Sequence, residues 1–230
     1  MSTAKEFYNR GVSFIKKKLY GKAVKELDQS IKLQPENPSA HLCMGVALWN
    51  LGFNKEALEE YKESIRLDPG NDKAHFNLGV IYLRLGRIRD AVVQYQAAIK
   101  LNPSDPNAHF NLGVAYSRLK NFEAEIKQYK LVLQIQPNFS NVNFGLANAY
   151  RKLGRYRESR SEYKKALQTN PENADAHFNL GVTCGLLNDG PNAIVNLLKA
   201  EKLYEKQKKQ GRRRETLNRL SELYDKYGLK

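Results

Sequence analysis

Residues 72–105 read DKAHFNLGVIYLRLGRIRDAVVQYQAAIKLNPSD, and residues 106–139 return to this pattern as PNAHFNLGVAYSRLKNFEAEIKQYKLVLQIQPNF. Each stretch is 34 residues long, and a proline recurs with that spacing along most of the chain, at Pro35, Pro69, Pro103, Pro137 and Pro171. A glycine recurs with the same spacing, except that Ala147 takes one place, at Gly11, Gly45, Gly79, Gly113 and Gly181. A repeat of this length predicts stacked copies of one supersecondary unit.

The spacing divides the chain into six units, which we expect to form a single domain of residues 1–230. The recurring glycine is taken as repeat position 8 and the recurring proline as position 32. The units then span residues 4–37, 38–71, 72–105, 106–139, 140–173 and 174–207.

Each unit is predicted to hold two amphipathic helices. Positions 4, 7, 8 and 11 share one face of a first helix, here called helix A, and positions 20, 24 and 27 share one face of a second, helix B. Gly52, Gly86 and Gly154 at position 15 are expected to end helix A, and the position-32 proline to end helix B. A single pair cannot bury its apolar face alone, so the predicted fold is all-α, a right-handed α-solenoid (superhelix) of stacked antiparallel helix pairs.

Two places depart from the repeat. Glu125 stands at position 20 of the fourth unit, where the other units have alanine or serine. Either helix B shifts so that Ala124 takes that place, or the pair is splayed. The sixth unit lacks the proline, so its helix B is expected to run on to about Gln210.

A capping helix is predicted over residues of about 212–228, where apolar side chains recur at helical spacing after Gly211. Repeat arrays need such an element to cover their last apolar face. The expected contacts are Leu217, Leu220 and Tyr224.

Composition excludes several classes of protein. The 230 residues carry a net charge of +14, from 38 Lys and Arg against 24 Asp and Glu, which favours an acidic partner. Two cysteines cannot form a disulfide scaffold or a four-thiolate zinc site. No apolar run approaches the roughly 18 residues of a membrane span, and the N-terminus has no apolar signal region. We therefore expect a cytoplasmic protein.

The units resemble the tetratricopeptide repeat, a family with a 34-residue period and an L-G…Y…A…P pattern. In the third unit that pattern is carried by Leu78, Gly79, Tyr82, Ala91 and Pro103. The resemblance implies that helix A of each unit lines a concave groove, which in this family most often holds the ligand. The groove positions would be 2, 5, 6, 9, 12 and 13, opposite the face that packs on helix B.

Aromatic and amide side chains recur at two of these positions. An exposed apolar ladder usually marks a binding site, although burial between neighbouring A helices is the alternative. An amide both donates and accepts hydrogen bonds, so an asparagine ladder can pair with a peptide backbone, as a similar ladder does in O-linked N-acetylglucosamine transferase. Hydrogen bonds within the stack are the alternative for the asparagines. The candidates are Phe76, Phe110, Phe144 and Phe178 at position 5 and Asn9, Asn77, Asn111 and Asn179 at position 6.

Basic side chains recur on the same implied face. They are Lys5 and Lys73 at position 2, Arg151 at position 12, and Lys16, Arg84, Arg118 and Lys152 at position 13. Their recurrence there indicates an acidic ligand, and a solvated charged face is the alternative. The carboxylate clamp of some family members requires lysine at position 5 and asparagine at position 9, so its ligand is not expected here.

All four histidines occupy position 4: His41, His75, His109 and His177. Neighbouring A helices are expected about 10 Å apart, whereas zinc ligands lie about 2 Å from the ion. We therefore expect these rings to fill packing positions rather than to bind metal. Because no nucleotide-binding, metalloprotease or nucleophile motif occurs, we expect no metal, no cofactor and no enzymatic activity.

The leading hypothesis is a non-enzymatic scaffold or adaptor that binds an acidic or extended peptide segment of a partner protein in its groove. Net charge alone keeps an RNA-binding or other nucleic-acid-binding helical-repeat protein as an alternative. A further alternative is self-assembly into a homo-oligomer, in which the groove of one copy takes the end of another. The basic residues 208–214 are either a site for phosphates or acidic protein, or an exposed helix junction.

Overall fold

The computed structural model describes residues 2–139 and 141–228, and these contain thirteen α-helices and no strand. The helices are α1 (Ala4–Lys16), α2 (Tyr20–Leu33), α3 (Pro38–Leu51), α4 (Asn54–Leu67), α5 (Asp72–Arg84), α6 (Ile88–Leu101), α7 (Pro106–Arg118), α8 (Phe122–Ile135), α9 (Val142–Lys152), α10 (Tyr156–Thr169), α11 (Ala174–Leu186), α12 (Gly190–Lys206) and α13 (Gln210–Tyr227). The predicted start of the fifth unit, Ser140, lies outside the described residues, as do Met1, Leu229 and Lys230.

Consecutive helices pack in pairs that are joined by short loops. The chain divides into two compact units, each larger than a 34-residue repeat unit. In the first, Met1–Ala115, α1 packs on α2, α3 on α4 and α5 on α6. In a second, Tyr116–Lys230, α9 packs on α10 and α11 on α12. Within each unit, helix B of one pair also packs against the next helix A. The predicted fold class, an all-α solenoid of stacked helix pairs, is confirmed, while the single domain of residues 1–230 stays a prediction.

Position 15 has a left-handed backbone conformation in all six units. Gly52, Gly86 and Gly154 end helix A there, as predicted, with φ between 73° and 89°. Such a conformation favours glycine, which has no Cβ to clash with the backbone. The other three units place Lys18, Lys120 and Asn188 in the same conformation, with φ of 57–58°. The loop geometry is therefore kept even where the sequence lacks glycine.

The glycine at position 8 lets the two helices of a pair approach closely. A methyl group on Gly45 would lie 2.6 Å from a ring carbon of Tyr61, and one on Gly79 would lie 2.8 Å from the Tyr95 ring. Both rings come from position 24 of the same unit. Equivalent contacts with a leucine at position 24 join Gly11 to Leu27 and Gly181 to Leu197. The side chain at position 24 of helix B thus packs directly against the backbone of helix A at this glycine.

Glu125 replaces the small residue of position 20 without any shift of helix B. Helix α8 begins at Phe122, which is repeat position 17, where the B helices of the other units also begin. Because Glu125 is 2 % exposed and Ala124 is only half-buried, the expectation that Ala124 takes this place is wrong. Burial raises the pKa of Glu125 to about 7, and a hydrogen bond with Ser117 opposes that rise.

Helix α13 caps the last pair through one stripe of side chains. Leu220 is buried against Tyr204, and Leu223 and Tyr224 pack at the edge of the same cluster. Leu217 is 46 % exposed, so the predicted contact through this residue is wrong. Thr216, four residues before Leu220 on the same face of the helix, is fully buried and takes the place on the stripe that was expected of Leu217.

The junction before the cap also differs from expectation. Helix α12 ends at Lys206 rather than near Gln210, and Lys208 adopts a left-handed conformation with φ of 56°. The capping helix therefore begins at Gln210, and Gly211 lies inside it.

Two arginines of the basic stretch 208–214 hold the cap in place. The Arg212 guanidinium lies 4.6 Å from the Phe178 ring centre and 2.8 Å from the carboxylate of Asp175. Arg213 forms an ion pair with Glu201 at 2.5 Å. These two side chains serve the junction between α11, α12 and α13 rather than standing free in solvent.

Replacing Glu125 with glutamine is expected to remove a pH dependence of stability. Between about pH 4.5 and 7 the folded chain keeps the proton that the unfolded chain has released, so the wild-type free energy of unfolding falls as pH rises. At about 1.4 kcal/mol per pKa unit, the fall is at most about 3 kcal/mol. Urea unfolding of the wild type and of Glu125→Gln at pH 5 and pH 8 measures this fall. If the free energies of unfolding of the two proteins differed by the same amount at both pH values, the account would be contradicted.

The cap offers a matched pair of truncations in one helix. Leu220→Ala is expected to lower the free energy of unfolding by about 2–4 kcal/mol, because it leaves a cavity in a buried cluster. Leu217→Ala removes a largely exposed side chain and should change it by less than about 0.5 kcal/mol. Thermal unfolding followed by circular dichroism compares the two, and equal losses would show that α13 does not pack through the Leu220 stripe.

Candidate peptide-binding groove

Side chains from the first three A helices line one cavity of about 650 Å³ in the unit Met1–Ala115. Helix α1 contributes position 5 and position 9, α3 contributes the same two positions, and α5 contributes positions 2 and 6. These side chains are, in that order, Tyr8, Val12, Leu42, Val46, Lys73 and Asn77. All of them stand at positions that the resemblance to the repeat family assigned to the groove.

The cavity is lined by apolar side chains together with charges of both signs. Lys16 and Lys73 line it together with Asp68 and Asp72. Asp68 accepts a hydrogen bond from the backbone N–H of Gly70 at 3.0 Å. Asp72 accepts one from the Asn102 side chain at 3.1 Å. The two carboxylates are thus already hydrogen-bonded within the protein.

Cys43 stands in the asparagine column as a half-buried free thiol. Its Sγ lies 3.9 Å from the Tyr8 hydroxyl oxygen, to which it donates a weak hydrogen bond. Burial raises the pKa of Cys43, and burial together with the neighbouring thiol raises that of Tyr8. Both groups are therefore neutral near pH 7, and they add an uncharged, weakly polar surface to the cavity.

The four phenylalanines of position 5 do not share one environment. Phe76 packs on Tyr95 with ring centres 5.8 Å apart, and Phe144 meets Tyr163 at 5.9 Å. These two rings and Phe110 are half-buried, so part of each stays accessible. Phe178 is 5 % exposed beneath the capping helix, which corrects its assignment as a ligand-contacting residue. The cap covers the last ring of the column, an effect that no pattern within one unit could reveal.

The four asparagines of position 6 also differ. Asn179 donates to Asn148 Oδ1 of the preceding unit at 3.3 Å, and Asn111 donates to the Asn107 carbonyl of its own helix at 2.9 Å. Asn9 is exposed, and within residues 2–139 and 141–228 neither its amide nor that of Asn77 has a hydrogen-bond partner. Asn77 is therefore the member of this column that both lines the cavity and keeps its amide free.

The fifth unit has glycine in this column for a steric reason. A methyl group on Gly145 would lie 2.6 Å from the ring of Tyr129 in the preceding unit. An asparagine at this place would collide with that ring, so the column is interrupted here by packing between units.

The predicted basic rail does not form one uniform surface. The Arg84 guanidinium lies 4.8 Å over the Trp49 ring, at the loop end of α3. Arg151 is half-buried near the Tyr163 hydroxyl, where its charge opposes the rise that burial causes in the pKa of Tyr163. Arg118 and Lys152 are exposed near the ends of α7 and α9. Lys16 and Lys73 are exposed and are the rail residues that line the cavity.

The histidines of position 4 tie each unit to the turn before it, a role that sequence reasoning missed. Their Nε2 atoms donate to the carbonyl oxygen of the preceding position-32 proline, six residues earlier, at 2.8–3.2 Å. The pairs are His41 with Pro35, His75 with Pro69, His109 with Pro103 and His177 with Pro171. The constant six-residue spacing between proline and histidine was the available signal.

The opposite ring nitrogens of His41, His75 and His177 reach position 23 of helix B in their own units. His41 Nδ1 lies 2.7 Å from a Glu60 oxygen, and His75 and His177 face the side-chain amides of Gln94 and Asn196. Each ring thus joins helix A, helix B and the inter-unit turn. In the part of the chain that the structure describes, no group of three or more metal-binding side chains comes together. None of its helices is both long enough and apolar enough to cross a bilayer.

Comparisons with known proteins agree with this architecture. The model of the TPR repeat family matches residues 11–52, 54–86, 81–120 and 147–188, and the Tetratricopeptide repeat model matches residues 106–139. No curated protein sequence matches the chain.

Several solved structures share the fold. PilF of Pseudomonas aeruginosa is 20 % identical with a TM-score of 0.74, over 90 % of this chain and 96 % of that protein. MamA is 21 % identical with a TM-score of 0.69, over 72 % of this chain and 97 % of that one. YrrB, a TPR protein with an unusual peptide-binding site, is 19 % identical with a TM-score of 0.71, over 77 % and 91 %.

At these identities the structural likeness shows the fold alone. The family models, however, match most of the sequence. The chain belongs to the tetratricopeptide repeat family.

Proposed function

We propose that this protein is a non-enzymatic interaction scaffold that holds an extended, partly acidic peptide segment of a partner protein in the cavity of its first three units. Tetratricopeptide repeats in general serve protein interaction, and the family match supports that broader role. The choice of ligand rests on the cavity lined in common by α1, α3 and α5.

The shape of the cavity favours an extended chain over a compact ligand. Its lining comes from three successive A helices, which lie side by side at roughly 10 Å spacing. A peptide in extended conformation advances about 3.3 Å per residue, so about six residues would pass all three helices. Its apolar side chains would rest on Val12, Leu42 and Val46.

The unpaired cations favour acidic residues in that peptide. Within the described residues, Lys16 and Lys73 have no ion-pair partner, whereas the carboxylates of Asp68 and Asp72 accept hydrogen bonds from the protein itself. A ligand carboxylate could therefore approach the lysines without displacing an existing contact. Charge complementarity of this kind contributes specificity and association rate more than raw affinity.

The free amide of Asn77 favours recognition of the peptide backbone. It lines the cavity beside Lys73, four residues away on the same helix. An amide can accept from a backbone N–H and donate to a backbone C=O at once, without reading the side chain of the ligand. YrrB, which shares the fold, is described as having a peptide-binding site. The two cysteines, Cys43 and Cys184, are free thiols, which fits the cytoplasmic location included in this proposal.

A peptide display library selected on the wild-type chain tests the proposal even while the partner is unidentified. Enriched peptides should carry acidic residues beside apolar ones. For a synthetic copy of an enriched peptide, Lys73→Glu combined with Asn77→Ala should weaken binding about tenfold or more, because it reverses one charge and removes one amide. Fluorescence anisotropy of the labelled peptide gives the two Kd values.

Lys100→Glu provides the matched control, since it makes the same charge change on helix B outside the cavity. Its Kd should stay within about twofold of the wild-type value. Equal weakening by both variants would show a nonspecific charge effect. Selection of no peptides, together with tight binding of poly(U) RNA, would favour the nucleic-acid alternative.

A further inference from the structure

The charge of the unit Met1–Ala115 is divided between its two edges. The loops within pairs and the residues beside them, 17–22, 51–55 and 84–89, are here called the basic edge, and they carry seven cations and no acidic residue. The cations are Lys17, Lys18, Lys22, Lys55, Arg84, Arg87 and Arg89. The turns between pairs lie at the opposite ends of the helices, in residues 34–37, 68–72 and 102–105. They carry four carboxylates, Glu36, Asp68, Asp72 and Asp105, and no Lys or Arg.

Two contacts show that the loops of the basic edge are neighbours. Leu51, at the end of α3, lines one shallow depression of about 480 Å³ together with residues 18–22 of the first loop. Arg84, at the end of α5, lies over the ring of Trp49 near the end of α3. The three loops therefore form one continuous strip along this unit.

Most cations of the strip are not neutralised by the protein. Arg87 forms an ion pair with Asp90 at 2.7 Å. In the ranges that the structure describes, Lys17, Lys18, Lys55 and Arg89 contact no acidic side chain, and all four are exposed. Their charges are thus available to an anionic surface outside the molecule.

Large apolar side chains project between these cations. Leu19 is 43 % exposed, Leu51 43 %, Phe53 50 % and Leu85 45 %. Each stands in or directly beside a loop that joins the two helices of a pair. A strip in which lysines and arginines alternate with exposed leucine and phenylalanine has the composition of a surface that lies on a bilayer.

We propose that the basic edge docks on the surface of a membrane that contains anionic lipid. The cations would contact headgroup phosphates and carboxylates, and the four apolar side chains would enter the boundary between headgroups and acyl chains. A nucleic acid would also attract the cations, but it would gain little from exposed leucines, because single strands are held by aromatic stacking. This docking leaves the cavity of the three A helices, described above, free for its own ligand.

Vesicle binding of the full chain tests the proposal. Sedimentation should carry the wild-type protein down with phosphatidylcholine vesicles that contain about 30 % phosphatidylserine, and about tenfold less with phosphatidylcholine alone. Lys17→Glu with Lys55→Glu should lower the partition coefficient at least about tenfold, since each change removes an attraction and adds a repulsion. Leu51→Ser with Phe53→Ser should lower it by a similar factor, because the inserted apolar area is lost.

The opposite ends of the same helices supply matched controls. Lys32→Glu with Lys100→Glu makes the same charge change, and Leu33→Ser with Leu101→Ser removes leucines that are 58 % and 43 % exposed. Both controls should bind as the wild type does, within about twofold. Trp49, the single tryptophan of the chain, lies at the basic edge and should shift its emission to the blue on anionic vesicles, which gives a second readout.

Three results would overturn the proposal. The first is no sedimentation of the wild type with anionic vesicles. The second is equal loss from the control variants. The third is a loss that follows charge but not Leu51 and Phe53, together with competition by poly(U) RNA, which would identify the strip as a nucleic-acid surface. If the Leu51→Ser, Phe53→Ser variant melts early, Leu19→Ser and Leu85→Ser carry the same test in the neighbouring loops.

Discussion

The close contact between the position-8 glycine of helix A and the side chain at position 24 of helix B is the constraint on which four helix pairs depend, those with Gly11, Gly45, Gly79 and Gly181. At Gly45 and Gly79 a tyrosine ring occupies the space that a Cβ would need. The approach fixes the spacing and rotation of the two helices, since interiors at crystal-like packing density tolerate little adjustment. In the first three repeat units, that rotation places positions 5 and 9 of α1 and α3 and positions 2 and 6 of α5 along the cavity. The His41 ring then ties the pair to the turn before it, through Pro35.

The excess of positive charge lies in three different surroundings. Lys73 lies in a cavity that also holds the hydrogen-bonded carboxylates of Asp68 and Asp72. Charges of both signs there would select among ligands by where the ligand carries its own charges. The loops of the basic edge carry cations with no acidic residue among them. Further along the chain, Arg212 has a structural role, because it pairs with Asp175 and lies over the Phe178 ring. The net charge of +14 is therefore distributed over surfaces that differ in their surroundings, and it does not indicate one single binding site.

Features that repeat every 34 residues could be predicted from the sequence, because they depend on contacts inside one unit. The helix ends at Gly52 and the small residues that face helix B are of this kind. Features set by a neighbouring unit or by the cap could not. Phe178 occupies the same repeat position as Phe76, Phe110 and Phe144, but it is buried because α13 covers it. Asn179 donates a hydrogen bond to Asn148 of the preceding repeat unit. Glu125 is a different case, because it departs from the repeat inside one pair. The sequence left a shifted helix B and a splayed pair as alternatives, whereas helix B starts at its usual position and the carboxyl is buried, with a raised pKa.

A double-mutant cycle between Gly45 and Tyr61 tests the central constraint most directly. Gly45→Ala places a methyl group 2.6 Å from the Tyr61 ring and should lower the free energy of unfolding by about 1–3 kcal/mol. Tyr61→Val removes the ring atoms that clash, so adding Gly45→Ala to that variant should cost little, with a coupling energy of at least about 1 kcal/mol. An equal cost of Gly45→Ala in both backgrounds would contradict the account, because the glycine would then matter for some reason other than the approach of helix B.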